Sequence, residues 1–151
     1  MFNQEMAGIV RAILDSNSDL TPYYDTISDG FRIPAVFFPA VEVNTSSYTL
    51  GSYSAQYSWY VKFFAADKQD AQTYAFGAME SILKKKKIIS LVDRSGERTD
   101  ETIRLKHLHL SDLEEDAYQL TIEWEVISAY EQAAVEKMQD YHVEFVPADG
   151  N

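Results

Sequence analysis

Cysteine is absent from all 151 residues. That excludes a disulfide framework, a thiolate nucleophile and any zinc site built on cysteine, and it fits a reducing compartment. Long apolar runs are missing too: no stretch approaches the ~20 residues that a membrane-spanning helix needs. Residues 1–15 lack a basic segment followed by an uninterrupted apolar run, so no secretory signal is expected and cytosolic synthesis is. Glycine and proline number only 6 and 4, and neither a low-complexity tract nor an interdomain linker is visible, so one domain over 1–151 is expected, frayed at 147–151. Positive charge is scarce as well. Lys and Arg total 13 against 24 acids, a formal net charge of −11. Such a chain repels a nucleic-acid backbone. Its one basic run, Lys84 to Lys87, falls at the end of an expected helix, where cations complement the helix dipole.

What is present is core material: 46% hydrophobic and 13% aromatic residues, including 10 Tyr. A chain of this length buries roughly 70% of its unfolded surface, so it needs no staples. The tyrosines suit both strands and interfaces.

Along the chain, Met6, Ile9, Val10, Ile13 and Leu14 form one apolar stripe and predict a helix over 3–16, stopped by the polar segment Ser16 to Pro22. Ile33 to Val43 is β-branched and apolar and reads as extended, interrupted or at an edge because of Pro34 and Pro39. Asn44 to Ser52 reads as a polar loop. Residues 53–65 give the clearest strand, with Tyr53, Ala55, Tyr57, Trp59, Val61, Phe63 and Ala65 on one face; the other face starts polar and ends aromatic. Asp67 caps a helix to about Leu83, whose stripe Ala71, Tyr74, Ala75, Ala78, Met79, Ile82 and Leu83 should pack on the Trp59 face. A short strand at 88–92, a charged loop at 93–102, a strand at 103–110, an acidic turn at 111–116 and an alternating strand at 117–128 follow. A helical pattern over 131–139 and a strand over 141–146 complete the chain. The fold class is α+β: a largely antiparallel or mixed sheet with the two main helices on one face.

Chemistry is hard to find in these residues. His107 and His109, two apart on a strand, point to the same side and are the best metal candidates, but a metal needs three or four converging ligands. The plainer reading is two histidines on a half-exposed strand. No Gly-x-Ser-x-Gly elbow or glycine-rich phosphate loop occurs. Glu123 and Glu125 share a strand face opposite Trp124, which suits solvated or interfacial charges better than a general acid of raised pKa. Neither a catalytic residue nor a cofactor is expected. Polar loops and free sheet edges are prominent instead, and a neighbouring copy can cover such edges by strand pairing.

The order of elements resembles that of the tail terminator (tail completion) proteins of long-tailed phages and prophages. The resemblance rests on the helix ending near Ser16, the Ile33-Pro-Ala-Val-Phe-Phe stretch, the strand Tyr57-Ser-Trp-Tyr-Val-Lys-Phe-Phe running into the Asp67–Leu83 helix, and the Ile103–Leu110 and Tyr118–Val126 strands. It covers most of residues 3–128 and involves no signature motif. It implies a virion subunit, assembled in the bacterial cytoplasm, that forms a ring, typically a hexamer. Such a ring caps the finished tail tube, ends its polymerisation and offers a docking face to the head connector. DNA would cross the lumen without specific binding, and no membrane is involved. Six copies of a −11 chain would carry about −66, which keeps DNA from sticking. The resemblance and the loops make Asn44, Ser47, Tyr48, Arg94, Glu97, Asp112, Glu114 and Glu115 the interface or lumen candidates. A head–tail joining or tail tube protein of the same virion is an alternative. An α+β binding domain, with Tyr57, Trp59, Tyr118 and Trp124 lining a pocket or the histidines holding a metal, is another.

Overall fold

The computed structural model describes residues 3–24 and 30–131. The helix expected over 131–139, the strand over 141–146 and the frayed end lie outside them, as does His142.

The chain begins with helix α1, Gln4–Ser16. Asn3 caps it, its Oδ1 accepting a 2.8 Å hydrogen bond from the Met6 N–H and so satisfying one of the helix's free amide donors. Met6, Ile9, Val10 and Ile13 are buried on its apolar stripe. Strands β1 (Thr21–Tyr24) and β2 (Ala35–Phe38) pair in parallel. Pro22 lies inside β1, tolerated because β1 is the sheet's edge strand. Pro39 falls between β2 and β3 (Glu42–Thr49), so the apolar run at 33–43 is interrupted.

Strand β4 (Ser52–Phe64) is the long strand the alternation predicts. Trp59, Val61 and Phe63 on its inner face are fully buried. The opposite face departs from expectation at its start, where Ser54 is also buried. Helix α2 spans Lys68–Lys84, and Asp67 is its cap, accepting from the Asp70 N–H at 2.8 Å. Ala71, Ala75, Ala78 and Ile82 of its stripe are buried, whereas Leu83 is 46% exposed. At the helix end the Lys85 N–H reaches Ile82 O, the Lys86 N–H reaches Leu83 O, and the Lys87 N–H returns to Ile82 O. Lys86 and Lys87 make this turn at φ 58° and 63°.

Strands β5 (Ile88–Val92) and β6 (Arg98–Arg104) form an antiparallel two-stranded sheet. β7 (His107–Asp112) and β8 (Ala117–Ala129) pair antiparallel in the main sheet, whose order is β1-β2-β4-β8-β7 with β3 also on β4. The architecture is α+β with a mixed sheet. α1 packs on β5 and beside α2, which also approaches β7.

Three sequence expectations need correction. Asn44 to Ser52 is not a loop: most of it is strand β3, because pairing with β4 satisfies its backbone. The 93–102 loop shrinks to 93–97, since Arg98 onward pairs with β5. The 103–110 strand is two strands. The Leu105 N–H donates to Lys87 O at 2.7 Å, whereas the Lys106 N–H donates to Glu123 O at 2.7 Å. The chain therefore changes sheets between neighbouring residues. Relatedly, the acidic turn begins after Asp112, the last residue of β7.

The described residues fall into two compact units. One holds the described residues up to Val43 and Tyr57–Glu125; the other holds Asn44–Gln56 and the described residues from Val126 to Glu131. In the first, the aromatic side chains account for each other. Tyr57 stacks on Trp124 at 4.9 Å and 3° between planes, Trp59 meets Trp124 at 6.2 Å, and Phe38 meets Trp59 at 5.4 Å. The Trp59 indole N–H donates to Pro39 O at 2.6 Å. Trp59 and Trp124 are filled core positions, not the lining of an open pocket.

Candidate functional site

The candidates group by element. Asn44, Ser47 and Tyr48 lie along β3, where all eight residues are exposed. The β3–β4 turn is closed by a 2.6 Å hydrogen bond between the Thr49 and Ser52 hydroxyls, and the Gly51 N–H donates to Thr49 Oγ1 at 3.2 Å. The Tyr130 N–H donates to Gly51 O at 2.9 Å, and its ring lies 5.5 Å from that of Tyr53. An open groove of about 470 Å³ is lined by Thr45, Ser46, Ser47, Tyr53 and Tyr130. Leu50, at the turn, is completely exposed, and Tyr48, Ile127 and Tyr130 are 62%, 44% and 42% exposed. The apolar exposure of Leu50, Ile127 and Tyr130 was not foreseen. For Leu50 the signal is the absence of charge around the hairpin.

Arg94 and Glu97 sit exposed in the β5–β6 turn. Asp93 builds that turn: its Oδ1 accepts from the Ser95 hydroxyl at 2.6 Å and from the Ser95 and Glu97 N–H groups at 3.0 Å. The Ser95 hydroxyl, followed by the Glu97 amide, holds the Asp93 carboxyl below its ordinary pKa. The turn is fastened to α1. Arg11 donates to Gly96 O at 3.0 Å, and Arg98 meets Asp15 at 2.7 Å.

Asp112, Glu114 and Glu115 cluster at the exposed β7–β8 turn, Glu115 at φ 61°. Lys68, at the start of α2, pairs with Asp112 at 2.5 Å and donates to Leu113 O at 2.7 Å. The turn is thus partly neutralised by a residue that sequence spacing alone did not connect to it.

His107 and His109 are both exposed, opposite Glu123 and Thr121 across the β7–β8 pair. Among the described residues no group of three His, Cys, Asp or Glu side chains is placed to hold a metal. Glu123 accepts from the Ser58 hydroxyl at 3.4 Å, and Glu125 pairs with Lys106 at 3.4 Å. No helix among the described residues is long and apolar enough to cross a membrane.

Glu5, in the first turn of α1, has a raised pKa because burial disfavours its charge; proximity to the Trp124 indole N–H opposes the shift. That approach falls short of a formed hydrogen bond, and buried Trp124 Nε1 has no hydrogen-bond partner. Gly8 has a structural role of its own. A Cβ there would lie 2.3 Å from Ser90 O, so only glycine lets α1 approach β5 this closely.

This is an α+β chain whose candidate residues sit on exposed turns and a strand edge. No family model matches it. It is similar to the phage-like element PBSX protein XkdJ of Bacillus subtilis (strain 168), 24% identical over 133 residues, which cover 88% of this chain and 91% of that protein. It is also similar to the uncharacterized protein YqbJ of the same organism, 25% identical over 122 residues, covering 81% of this chain and 83% of that one. The chain is therefore a relative, at low identity, of a phage-element protein.

Proposed function

We propose that this chain is a structural subunit of a phage or phage-derived tail, and specifically the terminator that caps the tail tube as an oligomeric ring. The observation that carries this reading is the similarity to a phage-like element protein along about nine-tenths of both chains. The order of elements resembling tail terminators adds the specific role. The subunit performs no catalysis. It works through surfaces: self-association closes the ring by head-to-tail contacts, one face meets the tail tube protein and the other meets the head connector. The acids of the β7–β8 turn and the outer strand faces line or approach the DNA path and repel it.

Two measurements test this. Light scattering coupled to size exclusion should give a discrete oligomer several times the 17.2 kDa chain mass. Particles made without the subunit should carry overlong tails. Normal-length tails detached from heads would instead assign it to head–tail joining and overturn the terminator role.

A further inference from the structure

We propose that the outer edge of β3 is the docking site for a second copy of this chain, which adds a strand to it. This deepens the ring-subunit reading and rests on it.

β3 is an eight-residue strand with every residue exposed, and among the described residues it pairs only with β4. An edge strand presents the outward amide and carbonyl groups of alternate residues, about four of them here. Proteins that need such an edge to stay alone guard it with lysine, proline, a bulge or an inward charge. β3 has no lysine and no proline, and its single charge is Glu42 at the first position. From Val43 to Val61 no residue carries a charge, in a chain where 25% of residues do.

That neutrality selects the occupant. Two copies each carrying −11 repel wherever their acidic surfaces meet. A stretch without charge lets them approach with least repulsion, and the β3–β4 hairpin is such a stretch from Val43 onward. A basic partner would gain nothing there and would be drawn to the acids instead. Beside the backbone edge, the open groove formed by Thr45, Ser46, Ser47, Tyr53 and Tyr130 offers an uncharged seat for a neighbour's side chains. Exposed Tyr48 and Leu50 supply apolar area on the same hairpin. Backbone pairing provides the affinity and the groove the register.

The test places guards on the edge. Thr45→Lys with Ser47→Lys should weaken self-association by about tenfold or more, read as a shift of mass from oligomer to monomer in light scattering. Thr73→Lys with Thr102→Lys changes net charge equally at exposed positions elsewhere and should leave the oligomer intact. Circular dichroism of the β3 variant should match wild type, since the replaced side chains are solvated. Hydrogen exchange should show the outward-facing β3 amides, those that do not bond β4, protected in the wild-type oligomer and exchanging freely on dilution to monomer. An oligomer that survives the β3 substitutions overturns the docking site while leaving the ring-subunit reading in place. A wild-type protein that stays monomeric overturns both. Protection of the β3 edge that persists in the monomer means the chain's own tail covers it, and overturns the inference.

Discussion

Replacing Gly8 with alanine separates helix propensity from packing, because the two pull in opposite directions. In a solvated helix, Gly→Ala stabilises by about 1 kcal/mol. At Gly8 the added Cβ would stand 2.3 Å from Ser90 O, 3.0 Å from Ile89 Cγ2 and 3.3 Å from Ser90 C, against ordinary contact beginning near 3.4 Å. The obstacle is backbone, and Ser90 is fixed by its pairing with Thr102, so the helix must retreat by about 1 Å. Retreat loosens buried Ile9 and Ile13 and stretches the Arg98–Asp15 contact. Overpacking of this kind costs about 1–3 kcal/mol. After the propensity gain of about 1 kcal/mol, Gly8→Ala should destabilise by up to about 2 kcal/mol, lowering the urea midpoint by up to about 1 M at an m-value near 2 kcal/mol/M. Gly77, exposed on α2 with no atom within 4 Å of its added Cβ, is the control: Gly77→Ala should stabilise by about 0.4–1 kcal/mol, raising the midpoint by about 0.2–0.5 M. Both are measured at one protein concentration, since self-association would shift midpoints. A Gly8→Ala protein as stable as Gly77→Ala would refute the close α1–β5 contact.

The two tryptophans make a second pair. Trp59→Phe loses the 2.6 Å bond to Pro39 O, whereas Trp124 Nε1 has no bond to lose; Trp59→Phe should cost about 1 kcal/mol more than Trp124→Phe in urea unfolding, and equal costs would count against the assignment. For Glu5, the raised pKa means the native state favours the protonated acid. Its contribution is full below the unfolded-state pKa and is lost as pH rises through the raised value. Stability of wild type relative to Glu5→Gln should therefore improve as pH is lowered from 7 to 4, and a difference independent of pH would show that Glu5 is not desolvated.

Elements whose own residues dictate them were legible. The Ala71–Ile82 stripe, the Asp67 cap and the alternation through Trp59 and Leu120–Trp124 each put a period on the page, and burial follows that period. Errors occurred where a neighbour decides. Asn44 to Thr49 has loop composition and is a strand because β4 lies beside it. Ile103 to Leu110 alternates without interruption, and only the divergent backbone partners of Leu105 and Lys106 reveal that it serves two sheets. Nothing in the 3–16 helical pattern marks Gly8, since the carbonyl that requires it belongs to Ser90, far along the chain.

The candidate site was less legible for a different reason. A catalytic centre converges unlike side chains, and spacing or motif can betray them. A strand edge recognises through backbone groups that every residue shares, so its mark in sequence is what has been kept away from it. In sequence, Asn44, Ser47 and Tyr48 read as interface or lumen candidates on a polar loop. Their setting gives them a different physical character: a neutral, fully exposed strand beside Leu50 and Tyr130. In a chain of net charge −11, an uncharged run at Val43–Val61 is the feature most in need of a cause. Core burial explains Trp59 and Val61 but not the exposed β3. For the strand, the cost of a charge falls on association, and that is why lysine on its edge is the perturbation to which self-assembly should be most sensitive.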